Sequence, residues 1–197
     1  MTPRPGIRPT SDEIDADILD IAAGLISRRG IKEMSVQSIA DASGYSKAGV
    51  LKRFASKDAL VSAAVNQCID QTRELVARAE QFEAQPSRDA MAIAQLTDLA
   101  LRRRGWAQLT LAAVPDLRAE GLHERLAPLG AMLARIFRLE EADSPSLERR
   151  ARTTAALSAL VMLALTYHDD APLDEARPLI HSIAWSTLGY ATAFPPL

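Results

Sequence analysis

The sequence predicts an all-α chain, with a three-helix helix-turn-helix unit at the N-terminus and a larger helical body behind it. Three observations carry this prediction. Alanine and leucine dominate a composition that is 48% hydrophobic and only 5% aromatic, which favours helix over strand. Apolar residues recur at three- and four-residue spacing along most of the chain. Residues 34–60, MSVQSIADASGYSKAGVLKRFASKDAL, break at one glycine into two short periodic segments, and a third helix starts behind them. At 197 residues with 24% charged side chains, the chain is long enough to build its own core and is globular rather than disordered.

Residues 1–10 are proline-rich and carry Arg4 and Arg8. Composition predicts a flexible basic arm there, and the sharper reading is an arm that reaches a minor groove. Thr10 and Glu13 form a capping box, and Asp12, Glu13, Asp15 and Asp17 load the first turns with negative charge, as a helix start favours. Ile14, Ile18, Ile21 and Leu25 then line one face of a first helix ending at Gly30.

Ser35 is placed to cap a second helix whose apolar side is Val36, Ile39 and Ala40. Gly44 supplies the backbone freedom for a sharp turn. Ser46 caps a third helix, with Val50, Leu51 and Phe54 expected on its apolar side, and Ser56 opens a fourth, with Asp58 in its first turn. Two short helices about a glycine turn form the layout in which the second helix enters a DNA major groove. Lys47, Lys52 and Arg53 fall on the outward side, Ala48 and Gly49 let a backbone approach a base edge, and Lys57 begins the next helix where a phosphate would sit. The competing reading is a solvated basic face on an ordinary helical hairpin.

The charge distribution favours the first reading. The whole chain carries −2, but residues 28–57 hold seven basic residues (Arg28, Arg29, Lys32, Lys47, Lys52, Arg53, Lys57) against Glu33 and Asp41, a local +5 that leaves −7 elsewhere. A basic patch on an acidic body engages phosphate with one face and keeps the rest soluble.

The motifs Arg29-Gly30, Ser35-Val36, Ile39-Ala40, Gly44, Ser46-Lys47, Phe54, Ser56-Lys57 and Leu60 stand in the register of the N-terminal domain of TetR-family transcriptional repressors, which this stretch resembles. It departs from the family pattern at Ala48 and Gly49, where Gly and Thr are usual. Leu51 stands where Tyr is common, and Lys52-Arg53 where an aromatic or His pair is usual. The resemblance implies DNA contact by Ser35, Gln37, Tyr45, Ser46, Lys47, Ala48, Gly49, Lys52, Arg53 and Lys57. It implies three regions: the arm at 1–10, the DNA-binding domain at 11–56, and a ligand-binding and dimerisation body at 57–197.

In the body, apolar spacing from Leu60 through Ala64, Val65, Cys68, Ile69, Leu75 and Val76 predicts a long fourth helix to about Phe82. Gln85-Pro86-Ser87 breaks it, and Ser87 with Asp89 restarts a helix that runs to Arg102-Arg103-Arg104-Gly105, read as a helix C-terminus. A short helix at 106–114 stops at Pro115, and another spans 118–138, with Pro128 as a potential kink. Ser144-Pro145 reads as the cap and first residue of a helix reaching about His168. That helix begins charged (Glu148, Arg149, Arg150, Arg152) and from Ala155 to Leu165 becomes almost wholly apolar, so this part is expected to be buried on all sides. Asp169-Asp170-Ala171-Pro172 turns into a last helix at 173–192.

In the resemblance, the last two helices pair with a second copy in a four-helix bundle, which nominates Leu157, Leu160, Val161, Ala164, Ile183, Ala184, Thr187 and Leu188 for a homodimer interface. The bulky residues Met91, Trp106, Leu109, Met132, Phe137 and Met162 are candidates to line a cavity for an apolar small-molecule effector.

No catalytic constellation emerges. His123, His168 and His181 are scattered, there is no phosphate-cradling glycine loop, and His168-Asp169-Asp170 reads as a solvated helix end rather than a metal site. No cofactor is indicated. Cys68, the single cysteine, excludes an intrachain disulfide and fits core packing. The N-terminus lacks the apolar run of a signal peptide and the longest apolar stretch, 155–167, is too short to span a bilayer, so the expected location is the cytoplasm and no membrane partner is expected. The expectation is a repressor released from a palindromic operator by a small molecule. The alternative is a ligand-binding or interaction protein on the same scaffold that no longer reads DNA.

Overall fold

The computed structural model describes residues 9–112, 122–139, 146–168 and 171–196; of His123 it describes the backbone only. Among these residues the chain forms α1 (Ser11–Glu33), α2 (Val36–Ser43), α3 (Lys47–Arg53), α4 (Lys57–Ala79), α5 (Gln85–Arg102), α6 (Arg104–Ala112), α7 (His123–Ile136), α8 (Leu147–Thr166) and α9 (Leu173–Thr187), with no strand. None of these helices is long and apolar enough to cross a membrane.

The N-terminal helices begin where their caps dictate. Thr10 Oγ1 accepts the Glu13 N–H at 3.2 Å while the Glu13 carboxylate accepts the Thr10 N–H at 2.8 Å, the expected capping box. Backbone contacts with the hydroxyls of Ser35, Ser46 and Ser56 start α2, α3 and α4 in the same way. The first helix leaves helical geometry at Gly30 (φ 76°, ψ 164°), as expected, before a last short turn reaches Glu33.

The seam between α1 and α6 joins the first three helices to the body. The carboxylate of Asp20, in the middle of α1, accepts the backbone N–H groups of Gly105 and Trp106 at 3.1 Å each, and so caps α6 from a distant part of the sequence. Burial pushes the Asp20 carboxyl above its ordinary range, and those two backbone bonds pull it back. Arg103 Nη1 donates to Asp17 at 2.8 Å on one side of this cap, and Ser27 Oγ donates to the Gln108 carbonyl at 2.8 Å on the other. A Cβ on residue 105 would lie 1.8 Å from the Asp20 carbonyl oxygen. Gly105 is therefore a close-approach glycine inside α6. The expected helix end at Arg102-Arg103-Arg104-Gly105 is one residue shorter and gives way at once to a new helix: α5 stops at Arg102, and Arg103 is its cap.

The central helix of the body is α5. It packs against α4, α6, α7, α8 and α9, and from Arg88 to Leu101 only Gln95 and Asp98 are not buried. It begins at Gln85 with Pro86 in its first turn, where a missing N–H costs nothing, so the expected restart at Ser87 lies inside the helix. The burial expected of α8 belongs to α5 instead. On α8, Ala151, Thr154, Ala155 and Met162 are exposed, Met162 at 54%. The apolar stretch of α8 is covered on one face and open on the other.

Other boundaries shift slightly. Pro128 sits inside α7. Ser146 rather than Ser144 caps α8, by accepting the Arg149 N–H at 3.1 Å. The last helix ends at Thr187, short of the expected 192. The arm at 1–8, Val114-Pro115, the start of the 118–138 segment, Ser144-Pro145 and Asp169-Asp170 lie outside the described residues.

Two polar and aromatic clusters close the body. The wholly buried Asp89 carboxylate accepts from Arg149 Nη2 at 2.8 Å, Gln85 Nε2 at 2.7 Å and Tyr190 Oη at 2.7 Å. Arg88 next to it donates to the carbonyls of Ile136 and Arg135 at the end of α7. After α9 the chain folds back, stacking Tyr190 on Trp185 (centroids 3.8 Å apart) and Phe194 beside His181 (4.7 Å).

Two predictions follow from this packing. Gly105→Ala should destabilise the protein by about 1–3 kcal/mol or more in urea unfolding, because the colliding atom is backbone. Gly130→Ala, with nothing within 4 Å of the new carbon, should be neutral or stabilising by comparison. His181 provides the second. Its Nε2 is buried without a partner, and burial holds its pKa below 6.5 against the opposing pull of Asp98. The neutral ring is thus favoured by folding, so this contribution is complete above the unfolded pKa and is lost as pH falls through the folded one. Thermal melts from pH 8 to pH 5 should show the wild type losing more stability than His181→Gln; parallel curves would contradict the assignment.

Candidate nucleic-acid interface

The reading unit is built from very short elements. α2 ends at Gly44, whose left-handed backbone (φ 74°, ψ 10°) reverses the chain in a way L-residues resist. Ser46 Oγ then accepts the Gly49 N–H at 3.0 Å to start α3. Of the seven residues of α3 only Val50 is buried. Ile39 and Ala40 from α2 and Val50 from α3 belong to the same core as Ile18, Ala22 and Ile26 of α1, and this is what holds the two helices in place.

Lys47, Ala48, Leu51 and Lys52 are exposed together on α3, and Tyr45 is exposed on the turn before it. Among the described residues Lys47 and Lys52 have no hydrogen-bond or ion-pair partner, so both ammonium groups are available to phosphate. Leu51, expected on the apolar inner side, is instead 37% exposed. Its position four residues after Lys47 puts it on the outward face, where an aliphatic side chain can meet a thymine methyl. Helical spacing alone would have found it.

Other expected contacts are engaged within the protein. Arg53 Nη1 donates to the Ser11 carbonyl at 3.3 Å, to Ser11 Oγ at 3.0 Å and to the Asp15 carboxylate, which ties the end of α3 to the start of α1. Lys57 Nζ donates to the Lys32 carbonyl at 3.0 Å, and Gln37 Nε2 donates to Asp41 at 2.7 Å. Ser35 shares a capping box with Ser38. Gly49 lies close under the Ser46 cap, where a Cβ would sit 3.1 Å from its Oγ. A count of basic residues cannot distinguish an arginine facing outward from one that meets a carboxylate on an earlier helix.

The expected effector and dimer residues divide in a similar way. Met91, Trp106, Leu109 and Phe137 are buried in the common core, and Met132 packs against it. Trp106 Nε1 donates to Thr72 Oγ1 at 3.0 Å. Met162 points away from this core, and a cleft of about 200 Å³ at the α1/α6 seam is lined by none of the six but by Ser27, Gln108, Leu111 and Ala112. Among the nominated dimer residues, Leu160, Val161, Ala164, Ala184 and Leu188 are buried within the subunit itself, so they serve its own core and leave no surface for a partner. Leu157, Ile183 and Thr187 are half-buried. α8 instead exposes Ala151, Ala155 and Met162, and α9 exposes Leu179, Ser182 and Ser186, with the exposed charges Glu148, Arg150, Arg152, Asp174 and Glu175 toward the starts of the two helices. Among the described residues no group of three or more histidine, cysteine or acidic side chains could hold a metal ion.

Residues 18–64 match the model of the family described as bacterial regulatory proteins, tetR family. No curated protein matches the chain by sequence. Solved structures with a similar fold include a TetR-like transcriptional regulator from Rhodococcus sp. RHA1 (21% identity, 92% of this chain and 98% of that one, TM-score 0.59). AmtR of Mycobacterium smegmatis is similar at 25% identity over 98% of this chain and 92% of that one, with a TM-score of 0.55. AibR, solved in complex with isovaleryl coenzyme A and operator DNA, is similar at 22% identity over 94% of this chain and all of that one, with a TM-score of 0.51. The stretch that matches the family model, residues 18–64, runs from within α1 through α2 and α3 into α4 and so takes in the glycine turn, and over nearly its whole length the chain has the fold of these TetR-family regulators.

Proposed function

We propose that the chain is a cytoplasmic, dimeric, non-enzymatic transcriptional regulator acting as a repressor, with residues 11–56 as its DNA-binding domain and 57–197 as its ligand-binding and dimerisation body. The observation that carries this reading is the outward face of α3, where two unpaired lysines flank Ala48 and Leu51 on a helix presented by a glycine turn. Such a face suits the major groove: lysines on phosphates or guanine edges, small and aliphatic side chains against bases. The exposed large apolar side chains of Met162 on α8 and Leu179 on α9 support a two-fold pairing with a second copy. The operator is then palindromic, with half-sites about 34–36 Å apart or a multiple of that distance.

Release by a small molecule requires that the molecule bind the DNA-incompetent state more tightly than the competent one. Buried polar atoms in the body are open to an effector: Gln71 Oε1 on α4, Thr97 Oγ1 on α5 and Thr153 Oγ1 on α8 are each enclosed without a partner. A mostly apolar effector with a few polar atoms would supply the missing bonds. AibR, of the same fold, has been solved with an acyl coenzyme A thioester and its operator together, so the fold accommodates both kinds of occupant.

The engagement of Arg53 and Lys57 inside the protein gives the second reading, a ligand-binding protein that no longer reads DNA, its specific support. A salt titration separates the two. With Lys47 and Lys52 as the contacts, a dimer neutralises about four phosphates, and log K against log salt should fall with a slope of about −4 on a duplex selected from a random library. Lys47→Ala with Lys52→Ala should flatten that slope. A slope of about −7 would mean that Arg53 and Lys57 leave their internal partners to join the contact set, and no saturable binding at any salt would favour the second reading.

A further inference from the structure

The Arg53 tether reaches beyond the loss of one expected phosphate contact. A seven-residue helix with one buried side chain has little of its own to fix its angle. The N-terminal end of α3 is set by the Gly44 turn and the Ser46 cap. At its C-terminal end the backbone leaves the helix at Phe54, and the side chain just before it, Arg53, crosses to α1. There one guanidinium nitrogen meets three oxygens, the carbonyl and hydroxyl of Ser11 and the carboxylate of Asp15. The pair is partly shielded, with the Arg53 side chain 26% exposed and that of Asp15 37%, so water does not fully screen it. Ser11 is itself the first residue of α1, behind the Thr10 capping box.

We infer that Asp15 is a positioning residue for DNA reading: with Ser11 it holds the Arg53 guanidinium and thereby fixes the tilt of α3 against α1. The inference rests on the DNA-reading proposal above and adds a residue that touches no DNA. It also reverses the sign that charge alone would give. An acidic side chain inside a basic patch repels DNA, so removing it should strengthen binding to every sequence. Removing a tether instead frees Arg53 for any phosphate while α3 loses its alignment with base edges. Non-specific affinity then rises and specific affinity falls.

The test measures two affinities for each variant of the full chain: for the duplex the wild type enriches from a random library, and for a scrambled duplex of equal length and composition. Asp15→Asn should bind the scrambled duplex as well as or better than wild type, and lose at least tenfold in the ratio of selected to scrambled affinity. Asp15→Glu should restore most of the ratio. Arg53→Lys keeps the charge, but its shorter side chain ends short of the position Nη1 takes between Ser11 and Asp15, so the same ratio should fall; with Asp15→Asn added it should fall little further. Partial unfolding cannot imitate this pattern, because it scales both affinities alike. If Asp15→Asn strengthens binding to both duplexes in parallel, or leaves the ratio unchanged while Lys52→Ala weakens both, the inference fails and the DNA-reading proposal stands. If the wild type enriches no sequence, both fail together.

Discussion

The packing of α6 onto α1 is the constraint on which the rest of this structure depends. Gly105 brings the two backbones so close that a single Cβ would overlap a carbonyl oxygen, and Asp20 turns that closeness into a cap for α6. A helix start buried against another helix without such a cap would leave amide groups unsatisfied, at about 1–3 kcal/mol each. With the cap, the helix that supports α2 and α3 from behind is also the helix on which the body sits. α1 is thus shared: Ile18, Ala22 and Ile26 belong to one core with Ile39, Val50, Trp106 and Leu109.

This sharing shapes how an effector could act. A molecule that bonded the unpartnered Gln71 Oε1 would disturb α4, and both α4 and α6 pack on α1. If the α1/α6 seam does not slip, displacement of either helix moves α1, and with it α2 and α3, the pair proposed to face DNA. Short interdigitated contacts and a buried cap resist sliding more than an apolar face would, because each shift leaves a polar group unpaired. At the far end of the body the buried Asp89–Arg149–Tyr190 cluster ties the start of α5 to α8 and to the C-terminal segment, so that α5 is held at its start as well as along its length.

Much of this was legible in the sequence, and what was legible was local. The caps at Thr10, Ser35, Ser46 and Ser56 each reach only three residues ahead, and Gly44 governs its own turn, so residue type at short spacing suffices. The contacts that escaped are distant in sequence. Asp20 reads as one of several acidic residues in α1 until α6 returns to meet it, and Arg53 reads as a DNA contact until Asp15 is found beside it. Hydrophobicity misled for a related reason. It marked α8 as the buried helix, whereas α5, with Arg88 and Asp89 among its residues, is enclosed by neighbours on every side. The dimer candidates Leu160, Val161 and Ala164 belong to the same apolar run, and only the fold separates its inner face from the outer one that carries Met162.

The claim that α1 and α6 move as one piece is tested most directly by native-state hydrogen exchange at the amides of Gly105 and Trp106, the two that donate to Asp20. If the seam is welded, these amides exchange only through global unfolding, with the same opening free energy and denaturant dependence as the core amides of Ile18 and Leu96. Exchange through a local opening at much lower free energy and with little dependence on denaturant would show that the seam slips on its own, and would contradict the account.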